Sequence, residues 1–264
     1  DRPALDIIVQ GQSGLMSITG EEGGAPVKVG VSIADLTAAL YATIATLAAL
    51  RARERDGRGQ LVDISMFESA VSLAVWEAGV YFGSGEVPRA AGSAHKLVAP
   101  YQAVAASDRH FIVGATTPPN WTAFCRVVGL GPLETDARFA DANTRRRNRE
   151  ALVLAIEKVT RTKPAEHWLA LLRKAGVPCG EIADYGDVFN DEHLLARKFF
   201  IDLEHPVLGT LRGLGSPMRL ARTPVRHHRA GPRLGEHTAD VLRELGWSDA
   251  DVDDLAGASI IARA

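Results

Sequence analysis

The sequence predicts an α/β protein in which a small α+β domain is inserted between two parts of a larger α/β domain. Three observations lead there. A period-2 apolar segment, Val27, Val29, Val31 and Ile33, runs straight into a long helix-forming stretch opened by Asp35, giving a strand and then a helix. A stretch rich in glycine, proline and serine at 83–94 separates that part from the rest of the chain. Beyond it, two apolar segments flank Ser107-Asp108-Arg109 as a hairpin, with helical stretches behind them. A length of 264 residues suits one or two domains at about 150 residues each.

Composition narrows the classes. With 46% hydrophobic and 23% charged residues, the chain reads as an ordinary soluble protein. The 30 Lys and Arg against 32 Asp and Glu leave a net charge of -2, which excludes a polycationic surface for nucleic acid. No uninterrupted apolar run reaches the ~18 residues of a bilayer span. Arg51, Arg53 and Arg55 end the longest run, so no membrane crossing is expected. Cys125 and Cys179 are far apart and lack a CxxC pattern, which points to a reducing, cytoplasmic compartment without a disulfide framework. Asp1 stands where Met would, and Ala4 to Val9 already reads as folded structure. The expectation is no signal peptide and a missing beginning.

In chain order, residues 5–19 are ambiguous between a short apolar segment and a helical turn. A loop at 20–26 precedes the strand at 27–33, and Asp35 is the natural N-cap of the helix from Leu36 through Arg55. Gly57-Arg58-Gly59 stops that helix after a basic last turn. Gln60 to Ser65 reads as a second strand and Met66 to Phe82 as one helix. Pro100 to Ala106 and His110 to Ala115 form the hairpin, followed by helices near 119–129, 148–160 and 164–175. Gly176 to Gly180 is a turn or short strand, Tyr185 to Arg197 is helical, and Phe199 to Leu220 holds short strands. Two short acidic helices, near 235–245 and 248–257, finish the chain. The expected domains are 1–82, a linker and glycine-bearing loop at 83–98, a small α+β domain at 99–199, and a return to the large domain at 200–264.

Several constellations carry little. Gly11-Gln12-Ser13-Gly14-Leu15 lacks the glycine two residues after serine that a nucleophile elbow needs. There is no phosphate loop of the GxxxxGK[ST] or GxGxxG kind. The histidines, His227-His228 included, show no metal-ligand spacing, so no metal is expected. Arg145, Arg146, Arg147 and Arg149 read as a solvated basic face. Asp35 is the informative residue. A carboxylate between a strand and a helix is kept anionic by the positive helix end, and it suits attack on an activated carbonyl with free N–H groups beside it.

Around Asp35 the segments Val27 to Ala38, Leu47-Ala-Ala-Leu50, Gly57-Arg-Gly-Gln60 and Val62-Asp-Ile-Ser65 resemble the class III CoA-transferases. That family includes formyl-CoA transferase, carnitine CoA-transferase and bile-acid-inducible protein F, with α-methylacyl-CoA racemase as a relative. Ala99-Pro-Tyr101, Trp121, Arg138-Phe139, Ala175-Gly-Val-Pro-Cys179, His205-Pro206 and Leu234-Gly-Glu-His-Thr238 continue the similarity in the expected order.

The resemblance implies a partial Rossmann-like large domain with an inserted small domain, and Asp35 as covalent nucleophile on an acyl-CoA. It implies coenzyme A as substrate with no permanently bound cofactor, a small carboxylic acid as acceptor, and an interlocked homodimer without membrane or nucleic-acid partner. Asp6, Gln10 and Gln12 fall where family members place polar groups facing the acyl part. The family's glycine-rich loop matches Ala91-Gly92-Ser93-Ala94-His95, with fewer glycines than formyl-CoA transferase, implying a different substrate. The racemase pairs its Asp with a histidine near Leu5. No histidine precedes His95 here, so racemisation is disfavoured. The match begins beyond the Rossmann-like front of family members, so the chain reads as the back two-thirds. A non-catalytic subunit or remnant pairing with a complete homologue is the rival reading, against which Asp35 and the loop stand.

Overall fold

The structure, a computed structural model, describes residues 3–226 and 229–262, so His227-His228 lies outside the described residues. Contacts divide the chain into two units, Asp1–Ile182 and Ala183–Ala264. Residues 183–199 therefore group with the following segment rather than with 99–182.

The first unit opens with α1 (Asp6–Gln12) and α2 (Leu15–Ile18), so the ambiguous stretch is helical. Residues 27–32, which bend at 30–31, and residues 60–65 have no ladder partner among the described residues. This corrects the two expected strands. Alternation writes an extended backbone, but a strand also needs a neighbour for its N–H and C=O groups. Here the Val29 N–H goes to Gln10 Oε1 at 2.8 Å, and the Val31 carbonyl accepts from Gln10 Nε2 at 3.4 Å.

Helix α3 (Ile33–Asp56) has Ser32 at its N-cap position, which makes Asp35 its third residue rather than its cap. Gly57, at a φ of 74° that glycine adopts without strain, ends the helix by donating to the Arg53 carbonyl at 2.8 Å. Only Ala34 and Thr37 of α3 are buried. Leu36, Leu40, Ile44 and Leu47, at helical spacing, leave an exposed apolar stripe. By length and composition α3 is apolar enough to cross a membrane, which amends the expectation drawn from run length. Every 18-residue window in it contains Asp35 or Arg51, and an uninterrupted-run criterion rejects all of them. The expected helix 66–82 is two, α4 (Met66–Val71) and α5 (Val75–Ser84). The break falls at Ser72, whose Oγ donates to the Ser69 carbonyl and lies 3.0 Å from the Tyr41 hydroxyl. Val9, Leu15, Ala34 and Ala70 form a small core for this part.

The hairpin is as expected: β1 (Tyr101–Ala105) pairs antiparallel with β2 (His110–Gly114), Tyr101 opposite Gly114. Later β3 (Cys179–Glu181) joins the free side of β2. Helices α6 (Pro118–Val128), α7 (Ala142–Arg147), α8 (Arg149–Thr160) and α9 (Ala165–Lys174) complete the unit. Phe111, Phe124, Leu152, Ile156 and Leu172 are wholly buried in its second, larger core. Polar ties fix the layers. Thr160 Oγ1 donates to the Ala105 carbonyl at 2.6 Å, Trp168 Nε1 to the Thr160 carbonyl at 2.8 Å, and Asp108 in the hairpin turn accepts from the Ala165 N–H at 2.8 Å. Asp108 thus caps a helix 57 residues away, because Pro164 at the N-cap position has no side-chain acceptor.

In the second unit, α10 (Tyr185–Phe189) and α11 (Glu192–Ala196) replace the single expected helix, since the Asp191 side chain accepts from the Leu194 N–H and starts a new one. A hairpin, β4 (Phe200–His205) and β5 (Gly209–Leu214), and two helices, α12 (Thr238–Glu244) and α13 (Asp249–Gly257), complete it.

Candidate active site

The start of α3 is held from outside. Asp6 Oδ1 accepts the Ala34 N–H at 2.9 Å, and Asp6 Oδ2 accepts from Gln10 Nε2 at 2.7 Å. Asp6 is therefore the side chain that satisfies a first-turn donor of α3, a role the sequence gives to Asp35. Local spacing does not announce this cap, because 28 residues separate donor and acceptor. Gln10 is wholly buried and its amide is engaged by Asp6, Val29 and Val31, so it pins the 29–34 approach to α3.

Asp35 is left unspent. Its carboxylate is exposed on the first turn of α3, and no hydrogen bond or ion pair reaches it among the described residues. Its own N–H likewise meets no acceptor among them, as the third N–H of a helix does unless capped. An anion and an unused donor thus share the positive end of a 24-residue helix.

Gln12 is exposed near the end of α1. The loop residue Gly92 takes a φ of 59°, donates to the Gly20 carbonyl at 2.9 Å, and lies so close to Glu21 that an added Cβ would stand 2.9 Å from its Oε2. His95 stacks on Tyr101 with ring centres 5.1 Å apart, and its Nδ1 accepts the Leu97 N–H at 3.2 Å. Gly92, Ser93, Glu21 and Glu22 wall a cleft of about 880 Å³ with Arg146 and Arg149. Asp35, Asp6 and Gln12 do not line that cleft, whereas Asp6 brings Gln10 and the start of α3 together.

The basic run is not one solvated face. Arg145 is 2% exposed, donates to the Ala99 and Phe139 carbonyls, and covers the Trp121 ring at 4.7 Å. Burial holds its pKa below the ordinary arginine value.

Residues 1–238 match CoA-transferase family III. The chain belongs to that family. The acetyl-CoA:oxalate CoA-transferase of Acetobacter aceti is 33% identical over 250 residues, which are 94% of this chain and 63% of the relative. The succinyl-CoA:mesaconate CoA-transferase of Haloarcula hispanica is 34% identical over 93% of this chain and 61% of its own length. A crystal structure of a CAIB/BAIF family protein from Brucella suis superposes with a TM-score of 0.80 at 35% identity, covering 92% of this chain and 63% of that one. This family III chain therefore has the mixed α/β fold of the CAIB/BAIF proteins, and it spans about three-fifths of the length of the relatives it matches.

Proposed function

We propose that this family III CoA-transferase moves coenzyme A from an acyl-CoA to a carboxylic acid, with the Asp35 carboxylate as nucleophile. The observation carrying the reading is that Asp6, not Asp35, caps α3. Asp35 keeps both oxygens for attack, and its own N–H at the helix end is unused and open to an oxyanion. Attack on the thioester carbonyl breaks the C–S bond, expels CoA thiolate and leaves an aspartyl mixed anhydride. The thiolate then attacks the Asp35 carbonyl, releasing the first acid and forming an aspartyl-CoA thioester. An incoming carboxylate displaces the thiolate to form a second anhydride. Thiolate attack on its new acyl carbonyl gives the product and frees Asp35. Each intermediate preserves the activation of the thioester, provided that water is kept out.

That proviso bears on assembly. The exposed stripe Leu36, Leu40, Ile44 and Leu47 lies on the helix that carries Asp35. A patch of this kind marks an interaction surface. A homodimer is the arrangement we propose to cover it and dry the site. Relatives named for oxalate, mesaconate and glutarate support a small dicarboxylate as acceptor. The test is Asp35→Asn, which keeps shape and removes the nucleophile. Turnover of acyl-CoA with a dicarboxylate is expected to fall by at least ~10³-fold, since removal of a covalent nucleophile costs that order or more. Unchanged turnover in the variant would overturn the reading. Turnover absent from the unaltered protein supports the remnant reading instead.

A further inference from the structure

We infer that a second cleft of the first unit, of about 810 Å³ and walled by Arg89, Arg146, Arg149 and Asn143, binds a phosphoryl-bearing polyanion. Among the described residues none of its three arginines is in an ion pair. The cleft's lysine, Lys96, is already neutralised by Glu77 at 3.0 Å. Glu22 and Glu86 also reach the wall, so its three guanidinium groups exceed its carboxylates by one.

Arg149 carries the most information. Its Nη2 donates to the His95 carbonyl, but its Nε is buried with no protein partner. A buried N–H of a charged group left unmet costs about 1–3 kcal/mol or more, a cost that an anion in the cleft relieves by drawing the guanidinium toward it. Burial and the neighbouring Arg146 charge hold the Arg149 pKa below its ordinary value, and Glu22 offsets this only in part. An anion would relieve both effects. Arg149 also opens the 12-residue α8, whose first turn has no side-chain cap. Guanidinium forks match phosphate oxygens two at a time, and three of them around one space offer more donors than the two oxygens of a single carboxylate engage as forks.

The chemistry has two sources, the nucleotide end of a CoA thioester or a separate phosphorylated effector. The inference does not depend on the acyl-transfer reading, and Asp35→Asn is expected to bind the anion normally. The probe is pyrophosphate, titrated calorimetrically at low salt. The unaltered protein is expected to show saturable binding below about 1 mM. The exposed double variant Arg89→Gln/Arg146→Gln is expected to bind at least ~10-fold more weakly, a loss of ~1.4 kcal/mol. Arg149→Gln is expected to do the same, while Arg212→Gln in the second unit binds like the unaltered protein. Displacement of pyrophosphate by coenzyme A assigns the site to the substrate. Binding that coenzyme A leaves untouched assigns it to an effector. No saturable binding, equal binding by the double variant, or displacement by succinate as effective as that by pyrophosphate would each overturn the inference.

Discussion

Replacing Asp6 probes how the start of α3 is held. The carboxylate accepts two donors at once, the Ala34 N–H at 2.9 Å and Gln10 Nε2 at 2.7 Å. Asp6→Ala removes a helix cap, worth typically ~1 kcal/mol. It also leaves the NH₂ of the buried Gln10 amide with only the 3.4 Å contact to Val31, at a cost of about 1–2 kcal/mol. The sum is about 2–3 kcal/mol, and at a urea slope of about 2 kcal/mol/M the midpoint drops by about 1–1.5 M. Asp6→Asn decides between explanations. Were Asp6 only a cap, Asn would serve almost as well. An Asn amide, however, turns its NH₂ toward one of the two donors, and Gln10 cannot flip because its Oε1 already holds the Val29 N–H at 2.8 Å. Asp6→Asn is therefore expected to lose about 1–2 kcal/mol. Asp6→Ala and Gln10→Ala are expected to couple by about 1 kcal/mol in a double-mutant cycle. An Asn variant with the midpoint of the unaltered protein, or a coupling of zero, would refute the two-donor account.

Other consequences concern the larger core and the loop. Glu157 titrates below its ordinary 4.5. Burial pushes its carboxyl upward, but hydrogen bonds from the Ala105 N–H and the Arg161 guanidinium outweigh it. A depressed carboxyl contributes stability that is present above the ordinary value and lost as pH falls through the folded one. Glu157→Gln is accordingly expected to lose about 1 kcal/mol at pH 7. In denaturant midpoints measured across pH, the gap closes as pH falls below 4.5. The Cys125 thiol is wholly buried, and burial pushes it up to about 12. A thiol reagent at pH 8 is expected to modify it only after unfolding, while half-buried Cys179 reacts first. Gly92→Ala forces an L residue to a φ of 59° and is expected to cost about 1 kcal/mol, read as a lower melting temperature. Glu21 adds little to that cost, because the atom in the way is the tip of a flexible side chain.

Legibility in the sequence tracks the range of the interactions involved. The hairpin at 101–114 and helices α6, α8 and α9 are legible because alternation, helical spacing and the Ser107-Asp108-Arg109 turn are local signals. The start of α3 is legible to within a few residues. The identity of its cap is not, since Asp6 arrives from another helix, and Asp108 likewise reaches α9 from a distant turn. The segments 27–32 and 60–65 alternate like strands but pair with nothing among the described residues, because pairing is a property of the neighbour and no pattern within a segment reports it. The arginine run shows the same limit from the other side. Arg145 points into a core against Trp121 while Arg146 lies in a cleft, a split that adjacent numbers do not encode.

The central claim, that Asp35 carries the acyl group, is tested most directly by chemical trapping. The protein is mixed with an acyl-CoA, quenched in acid within seconds and digested, and the peptide containing Asp35 is weighed by mass spectrometry. The account predicts an adduct of the acyl group or of CoA on that peptide, removed by hydroxylamine and missing from Asp35→Asn. An adduct on a different carboxylate during turnover, or turnover with no adduct in the unaltered protein, would contradict it.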